Sequence, residues 1–368
     1  MGVRHRAGTK PIRSVEMCPN VYQVRPLQDP RWNELVNRHP RSSAFHSVAW
    51  LNALHRTYGF EPIAFTTSSP GGRLENGLVF CRVASWITGR RIVSLPFSDH
   101  CEPLVEDSAD EQALISALER GLKEEKLRFI EIRAACASLA PNSSRLSTNT
   151  FSFHKLDLGL SLATLFANCH KSSTQRKILR AEREGLVCET GRSQALLNSF
   201  WDLLLITRRR HGVPPQPKRW FRNLIDCFGD SMQIRVAYKE KQPVASILTL
   251  RHKQTLMYKY GGSDARFHNL GGTQLLFWRA IEDAKRDGLS VFDLGRTDCE
   301  NAGLVTFKDR WGSVCSTLSY SRVSLVPSTD GSERLGSQHA RRLAKELVSH
   351  LPSSVLRLAG SALYRHIA

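Results

Sequence analysis

The sequence predicts an α/β (α+β) fold in which a mixed, largely antiparallel sheet carries flanking helices. The first observation is a strand–helix–strand unit, with strands at Leu256–Gly261 and Ser290–Leu294 around an amphipathic helix at Asn269–Asp287. The second is that the first strand of this unit is also the last of three strands joined by short turns. Because such a run is antiparallel, whereas a crossover helix joins parallel strands, the two together predict a mixed sheet.

The crossover helix is predicted from Phe277, Ile281 and Ala284, which repeat at helical spacing. Asn269 is the expected N-cap, and Gly288 is placed to end the helix in a left-handed conformation. Backbone N–H groups at the helix start would favour an anion or a carbonyl oxygen near Gly271 and Gly272.

The preceding strands are predicted from alternation. Met232, Ile234, Val236 and Tyr238 alternate with polar residues, and a second strand follows at Val244–Leu250 after a proline-containing turn.

The first half of the chain repeats this order of elements, which predicts a pair of related domains. Its expected elements are helices at Ser47–Tyr58 and Glu111–Lys126, and extended segments at Pro62–Thr67, Gly77–Val83, Arg91–Leu95 and Phe129–Arg133. The division is expected near Pro141–Asn149, where Ser, Asn, Pro and Thr cluster. The predicted organisation is a disordered basic N-terminus (1–20), an N-terminal domain (21–149), a C-terminal domain with the transfer site (150–326) and a helical tail (327–368).

The strongest functional signal is the polar segment Gly295–Gly312, which follows the last strand of the crossover unit. Ligands commonly bind where strand ends, a helix start and a loop meet, so this segment is the expected site. Asp293 lies at the end of that strand on an otherwise apolar face. It is equally compatible with capping a turn and with accepting a hydrogen bond from a substrate.

The charge balance favours polyanionic partners. Lys and Arg outnumber Asp and Glu by 52 to 34, which gives a formal net charge of +18. Arg176 and Arg180 share one face of a helix within His170–Arg183, which predicts phosphate binding, with a solvated helix face as the alternative. The basic amphipathic segment Gln338–His350, together with Leu351–Ala368, suggests contact with an anionic membrane or, alternatively, a packed terminal helix.

Several chemistries lack their sequence motifs. The chain has no phosphate-binding loop of nucleoside triphosphatases, no dinucleotide fingerprint, no Gly-x-Ser-x-Gly and no His-Glu-x-x-His. Nine scattered cysteines without a Cys-x-x-Cys motif favour a reducing, cytoplasmic location and no metal site. No apolar run approaches the ~18 residues of a membrane span. The remaining candidate is a site for group transfer.

At this point the residues resemble a family. Four segments are similar to the FemABX-like branch of the Gcn5-related N-acyltransferase (GNAT) superfamily. This branch includes relatives encoded with exopolysaccharide and exosortase systems. The segments are Tyr258-Lys-Tyr-Gly-Gly262, Leu270-Gly-Gly-Thr-Gln-Leu-Leu276, Phe292-Asp-Leu-Gly-Arg296 and Asn301–Gly312, which contains Phe307-Lys-x-x-Trp-Gly312. The resemblance covers roughly Phe45 to the C-terminus and implies tandem GNAT-like domains.

The resemblance implies attack of a substrate amine on an activated acyl ester or thioester. Lys308, in the Phe307-Lys308 pair, would stabilise the developing oxyanion or a substrate phosphate, and Asp293 is the second catalytic candidate. The expected substrate-binding residues are Arg296, Asn301, Phe307, Tyr260, Arg176, Arg180, Gly271 and Gly272.

The implied product is an acylated or aminoacylated amine on a cell-envelope or polysaccharide precursor, such as a peptidoglycan precursor. No cofactor is firmly implied, and acyl-CoA and aminoacyl-tRNA are the candidate donors. The expected partners are an anionic nucleotide-linked or lipid-linked glycan precursor, tRNA, and the inner face of an anionic membrane. The oligomeric state is left open.

Two departures keep alternatives open. The long helical arm of the staphylococcal Fem proteins has no counterpart, and the acyl-CoA loop of other GNAT enzymes is only partly matched by His268-x-x-Gly-Gly-Thr273. The alternatives are therefore an acyl-CoA-dependent acetyltransferase acting on a small amine or sugar, and a non-catalytic basic protein that binds a nucleotide-linked glycan or RNA.

Overall fold

The computed structural model describes residues 20–86, 89–134, 146–324 and 351–366. The predicted disorder of the N-terminus and the predicted amphipathic segment Gln338–His350 lie outside these residues. Among the described helices, none combines the length and apolar character needed to span a bilayer.

The two halves repeat one order of elements. The N-terminal half contains β1 (Tyr22–Val24), α1 (Pro30–Arg38), α2 (Val48–Tyr58), β2 (Glu61–Thr66), β3 (Leu78–Ser85), β4 (Gly89–Val93), α3 (Ser108–Glu124) and β5 (Phe129–Ala134). The same sequence of strand, two helices, three strands, helix and strand recurs as β7 (Val187–Gly191), α6 (Gln194–Arg210), α7 (Lys218–Phe228), β8 (Met232–Lys239), β9 (Gln242–His252), β10 (Thr255–Ser263), α8 (Gly272–Arg286) and β11 (Val291–Asp298).

The remaining elements join and extend the halves. They are β6 (Leu146–Asp157), α4 (Leu162–Asn168), α5 (Arg176–Arg183), α9 (Ala302–Asp309), β12 (Val314–Ser324) and α10 (Ser353–Leu363). The expected division near Pro141–Asn149 overlaps β6, and residues 135–145 lie outside the described part. The exact domain boundary stays a prediction.

One sheet of twelve described strands runs through both halves, in the order β1-β2-β3-β4-β5-β12-β6-β11-β10-β9-β8-β7. The pairs β4–β5 and β10–β11 are parallel, and the other pairs are antiparallel. The predicted mixed, largely antiparallel sheet is therefore confirmed. In each parallel pair a helix connects the two strands, α3 between β4 and β5 and α8 between β10 and β11, as a parallel connection requires.

Two local predictions need correction. The crossover helix begins at Gly272 with Gly271 as its N-cap, whereas Asn269 lies in a short 3-10 turn, Ala265–Leu270. The segment after Asp293 is not simply a loop, because β11 continues to Asp298 and α9 follows it. The sequence misplaced these boundaries because glycine at a positive φ, rather than asparagine, turns the chain into the helix.

The apolar faces of the helices form the core. One cluster joins α2, α6 and α7 across the two halves and includes Trp50, Phe200, Trp220 and Phe221. A second cluster packs α8 against the sheet of the C-terminal half through residues such as Phe277 and Phe292. Because the first cluster includes residues from both halves, the halves are packed against each other.

Candidate active site

A cavity of about 490 Å³ opens in the C-terminal half, between β9, β10, the start of α8 and α9. A second depression, of about 450 Å³, lies at the edge strand β1, where Arg31 is already paired with Asp29 at 2.7 Å. The first cavity lies next to the predicted polar segment, so it is the candidate site.

The start of α8 directs a positive potential into this cavity. Gly271 has φ +80°, and a Cβ there would collide with the carbonyl oxygen of Lys177 on α5. The N-cap provides no side-chain hydrogen bond, and the first turn carries no acidic residue. The first N–H groups of a helix have no partners within the helix, so Gly272, Thr273 and Gln274 present them to the cavity that they line.

Two cationic side chains line the same cavity. Lys177 comes from α5, and Arg210 comes from the last residue of α6. His268 lies between them, with its Nε2 at 2.9 Å from the Ser263 hydroxyl. Burial, and then the charges of Arg210 and Lys177, lower the pKa of His268, so its imidazole is neutral near neutral pH. The lining therefore favours an anionic ligand through Lys177, Arg210 and the helix start.

The strand β10, which lines the cavity, forms a wedge with its parallel neighbour β11. β10 and β11 pair only from Thr255 to Met257, where Met257 lies opposite Asp293. Register shifts then interrupt both strands, after Tyr258 in β10 and after Asp293 in β11. In the described pairing, the rest of β10 bonds only to β9, which leaves its other edge directed into the wedge.

The closed end of the wedge holds a cluster of buried charges from both halves. Lys259 of β10 donates a hydrogen bond from Nζ to Asp99 Oδ1 at 2.8 Å. His100 Nε2 lies 2.9 Å from Asp293 Oδ2, and the other oxygen of Asp293 accepts from the N–H of Gly295 at 2.7 Å. A Cβ on Gly295 would approach Asp99 Oδ2 to 2.8 Å. Glycine therefore allows the Asp99 carboxylate to lie against β11.

The loop that supplies Asp99 and His100 follows β4 of the N-terminal half. Leu95 and Phe97 have φ values of +35° and +63°, which are unfavourable for residues with side chains. Arg133 holds the loop by donating to the carbonyl oxygens of Leu95 and Ser98, both at 3.1 Å. Strain that is held in place by such contacts is typical of functional loops.

Lys308 lies on α9 and is 2% exposed, so it is not a loop lysine in solvent. Its Nζ donates to the carbonyl oxygens of Gly295 and Arg296 at 2.7 and 3.0 Å. Burial lowers the pKa of Lys308 to about 8, and the charges of Asp99 and Asp293 oppose this decrease. Lys308 thus holds the irregular part of β11, and stabilisation of an oxyanion by Lys308 stays a prediction.

Several predicted binding residues meet at the cavity. Phe307 lines it and packs against Phe277, with ring centroids 5.4 Å apart. Asn301 also lines it, and its side chain accepts from the N–H of Leu304 to cap α9. Gly272 lines the cavity, and Gly271 shapes its entrance from the helix start.

Other predicted residues lie elsewhere. Tyr260 is 6% exposed, and its hydroxyl accepts from Trp220 Nε1 at 3.0 Å within the core. The Arg296 guanidinium lies over the rings of Phe151 and Tyr320, at 4.2 and 4.9 Å. Neither residue belongs to the lining of the cavity. Their predicted roles in substrate binding remain predictions, without support from this geometry.

The two arginines predicted to bind phosphate are on α5, but neither lines the cavity. Arg180 lies 3.6 Å from Glu184 in an ion pair, and Arg176 is exposed. Lys177, between them in sequence, points into the cavity instead. The basic helix is thus at the site, although through a different residue from those predicted.

Sequence reasoning missed Asp99, His100 and Lys259. The available signal was the polar run Ser98-Asp-His100 between apolar residues just after a strand. Among the described residues, no group of three or more His, Cys, Asp or Glu side chains is arranged to hold a metal ion.

Comparisons with known proteins agree with this architecture. The family model for an acetyltransferase (GNAT) domain matches residues 170–308. The UDP-N-acetylmuramoylpentapeptide-lysine N(6)-alanyltransferase of Weissella viridescens is 30% identical over 95 residues, which are 26% of this chain and 28% of that relative. The match thus spans under a third of the relative.

Solved structures share the fold over most of the chain. The crystal structure of FemX superposes with a TM-score of 0.61 at 14% identity, covering 79% of this chain and 95% of that one. L-PGS from Bacillus licheniformis gives 0.53 at 14% identity, with 87% and 98% coverage. A tandem GNAT protein from the clavulanic acid pathway gives 0.52 at 12% identity, with 84% and 100% coverage. Residues 170–308 therefore match a GNAT-type domain, and the chain shares the fold of FemX and of a tandem GNAT protein.

Proposed function

We propose that this protein is an N-acyltransferase or aminoacyltransferase that acylates an amine on a cell-envelope or polysaccharide precursor. The observation that carries the proposal is the cavity at the wedge between β10 and β11. It combines an uncapped helix start with Lys177 and Arg210, inside the region matched by the GNAT family model.

The helix start and the two cations suit the phosphate groups of an activated donor. N–H groups at a helix start and basic side chains bind phosphate oxygens. The edge of β10 beyond Met257 would pair with the extended arm of the donor, since an unpaired strand edge offers alternating N–H and C=O groups. This arrangement would place the reactive carbonyl in the wedge.

The reaction is an acyl transfer. The nitrogen of the acceptor amine attacks the carbonyl carbon of the donor ester or thioester, and a C–N bond forms. The tetrahedral intermediate then expels the alcohol or thiol, while the amine loses a proton to solvent or to the leaving group. Main-chain N–H groups in the wedge would stabilise the developing oxyanion. Lys308 would keep the β11 side of the wedge in place through its bonds to Gly295 and Arg296.

The homologous alanyltransferase suggests a nucleotide-linked peptidoglycan precursor as the acceptor and an aminoacyl group as the cargo. Aminoacyl-tRNA is then the donor, and its polyanionic backbone suits a chain of formal charge +18. A lipid-linked acceptor at an anionic membrane is the other precursor with this chemistry. Acyl-CoA is the alternative donor, because an uncapped helix start also fits a pyrophosphate.

A transfer assay on the full chain tests the proposal. Purified protein is incubated with UDP-N-acetylmuramoyl-pentapeptide and either alanyl-tRNA or acetyl-CoA, and the acceptor is analysed by mass spectrometry. We expect one alanyl or acetyl group on the acceptor, and the donor that is consumed identifies the branch of the family.

Two double variants that each remove two positive charges provide the test and its control. Lys177→Ala with Arg210→Ala removes both cations of the cavity, while Lys241→Ala with Arg41→Ala removes two exposed cations outside its lining. We expect the first pair to raise the KM for the donor at least about tenfold. Tight, salt-sensitive binding of these ligands without any turnover would instead identify a non-catalytic binding protein.

A further inference from the structure

Two exposed apolar groups lie at one end of the molecule, away from the cavity lining. Trp86, at the tip of the β3–β4 hairpin, is 88% exposed. On α10, Leu358 is 73% and Val355 is 42% exposed, and with Ala362 they lie on one helical face. When such side chains form one contiguous patch, the patch marks an interaction surface.

The opposite face of α10 is fixed to the protein. Leu356 is fully buried, and a Cβ on Gly360 would collide with the carbonyl oxygen of Pro215. The Tyr364 hydroxyl donates to the Pro214 carbonyl at 2.9 Å. The exposed apolar stripe is therefore the outward face of a docked helix.

The hairpin tip and the end of α10 form one surface. The rings of Trp86 and His366 lie 5.9 Å apart, and Ser85 Oγ lies 3.0 Å from His366 Nδ1. Arg91 donates to the carbonyl oxygen of His366 at 2.7 Å. These contacts join the hairpin tip to the residues that follow α10, and we call Trp86, Val355, Leu358 and Ala362 the terminal surface.

The exposed charges of the two segments that carry the terminal surface are positive. Residues 351–368 contain the exposed Arg357 and Arg365 and no acidic residue, and residues 84–91 contain the exposed Arg90, the buried Arg91 and no acidic residue. Arg128 adds another exposed cation beside the hairpin, since its N–H donates to the carbonyl oxygen of Arg90 at 2.8 Å. A partner for this surface must accept apolar side chains and carry negative charge.

We propose that the terminal surface docks on an anionic lipid bilayer. Tryptophan and aliphatic side chains insert at the boundary between head groups and acyl chains, while arginines contact lipid phosphates. A few side chains of this kind and the surrounding arginines give reversible binding, because each cation near an anionic surface contributes about 1 kcal/mol. The chemistry of the surface matches a bilayer better than a second copy, because a second copy would bring the same cations into contact.

Docking would also orient the cavity. Tyr364, directly after α10, contacts the loop that follows α6 through the Pro214 carbonyl, and Arg209 near the end of α6 donates to the Leu351 carbonyl, just before α10, at 2.6 Å. The neighbouring residues Arg210 and His211 line the cavity. The terminal surface and the site are thus connected through one short loop, which would present a lipid-linked acceptor to the cavity. This orientation rests on the proposed function, whereas the docking itself does not.

Sedimentation of the full chain with vesicles tests the docking. Vesicles of phosphatidylcholine with phosphatidylglycerol are compared with vesicles of phosphatidylcholine alone. We expect the wild-type chain to bind only to the anionic vesicles. In the Trp86→Ser, Leu358→Ser variant, the partition coefficient should fall about tenfold or more, because both large apolar side chains that insert into the bilayer are removed. The matched control is Leu179→Ser with Val314→Ser, which changes two other exposed apolar residues, 53% and 70% exposed.

The outcomes are distinguishable from those of the transfer assay. Absent binding to anionic vesicles, equal binding to both vesicle types, or equal losses in the two double variants would overturn the proposal. So would a wild-type dimer in sedimentation velocity that becomes a monomer in the Trp86→Ser, Leu358→Ser variant. Because all four substituted residues are exposed, thermal unfolding should be unchanged, and turnover on the soluble nucleotide-linked acceptor should be retained.

Discussion

The helices α3 and α8 occupy the same place in the two halves, after the third strand of the meander, yet they begin differently. The Asp107 side chain caps α3 by accepting from the N–H groups of Ala109 and Asp110, and Asp110 and Glu111 add negative charge to the first turn. α8 begins after Gly271 without a side-chain cap or an acid. The same topology therefore yields an uncapped helix start in one half and a capped one in the other.

The parallel pairs beside these helices, β4–β5 and β10–β11, also differ where their pairing ends, at the two wedges of the sheet. Glu131 and Asp293 are each the third residue of their strand and lie in the last position of the parallel pairing. Glu131 is satisfied by two arginines, with Arg133 at 2.8 Å and Arg322 at 2.7 Å. Asp293 is satisfied by His100 from the other half. Glu131 is thus paired by Arg133 of its own half and Arg322 of β12, whereas Asp293 depends on a residue of the other half.

The largest expected effect concerns the buried cations of the two wedges. Arg133 stays charged, since its pKa is raised, whereas burial lowers the pKa of Lys308 from 10.5 to about 8. A lysine with a lowered pKa in the folded state opposes folding below pH 8, and this effect disappears as the pH approaches 10.5. The free energy of unfolding of wild type relative to Lys308→Met should thus rise by roughly 3 kcal/mol between these pH values. Urea unfolding at several pH values measures it.

Comparison with Lys308→Met is needed because Lys259 contributes a slope of the same sign and buried cysteines contribute one of the opposite sign. A difference that does not change with pH would show that Lys308 keeps an ordinary pKa.

The second-largest effect is a difference in the free energy of unfolding between variants at the partners of the two buried carboxylates, Asp293 and Glu131. His100→Ala removes the side-chain partner of Asp293, so the free energy of unfolding should fall by about 2–3 kcal/mol, as for a hydrogen bond to a buried charge. Arg322→Ala leaves Arg133 on Glu131 and should cost less than about 1 kcal/mol, since Arg322 is partly exposed. Urea unfolding of both variants measures the contrast, and equal losses would remove the distinction between the wedges.

A smaller effect tests the helix starts directly. Thr273→Asp gives α8 a carboxylate like that of α3, so we expect about tenfold to hundredfold weaker binding of an anionic donor by repulsion in the cavity. The helix itself should not lose stability, since an acid in the first turn is favourable. Calorimetric titration with the donor checks this, with Thr273→Asn as the uncharged control. Unchanged affinity in Thr273→Asp would place the anion elsewhere.

The smallest effect is the reverse change in the other half. Asp107→Ala removes the cap of α3, which should cost about 1 kcal/mol in the free energy of unfolding. Donor affinity should stay at the wild-type value, because α3 does not contribute to the lining of the cavity. A thermal melt and the same titration give both values. A change in donor affinity would mean that the halves share the donor site.

Local patterns predicted most elements. The alternation at Met232–Tyr238 and the helical spacing at Phe277–Ala284 correspond to β8 and α8, since side-chain burial follows the period of each element. Gly288 has the predicted left-handed conformation, with φ +73°. The start of α8 was misplaced by three residues, because the collision of a Cβ at Gly271 with Lys177 is a contact between distant segments that no local pattern records.

The candidate site was predicted only in part, for the same reason. Gly272, Asn301 and Phe307 were identified from the segments that form the cavity. Tyr260 was placed at the substrate because its burial against Trp220 cannot be seen in a strand pattern.

The sequence by itself determined the tandem order of elements, the excess of positive charge and the segment that lines the cavity, because these depend on composition and on periods of a few residues. The tertiary structure alone decided that Asp293 meets His100, which is 193 residues away, and that Lys308 is buried against β11. It also decided that the start of α8, unlike that of α3, lines a cavity. Hydrogen bonds and burial between distant segments depend on how the halves pack, and that packing is a property of the whole chain.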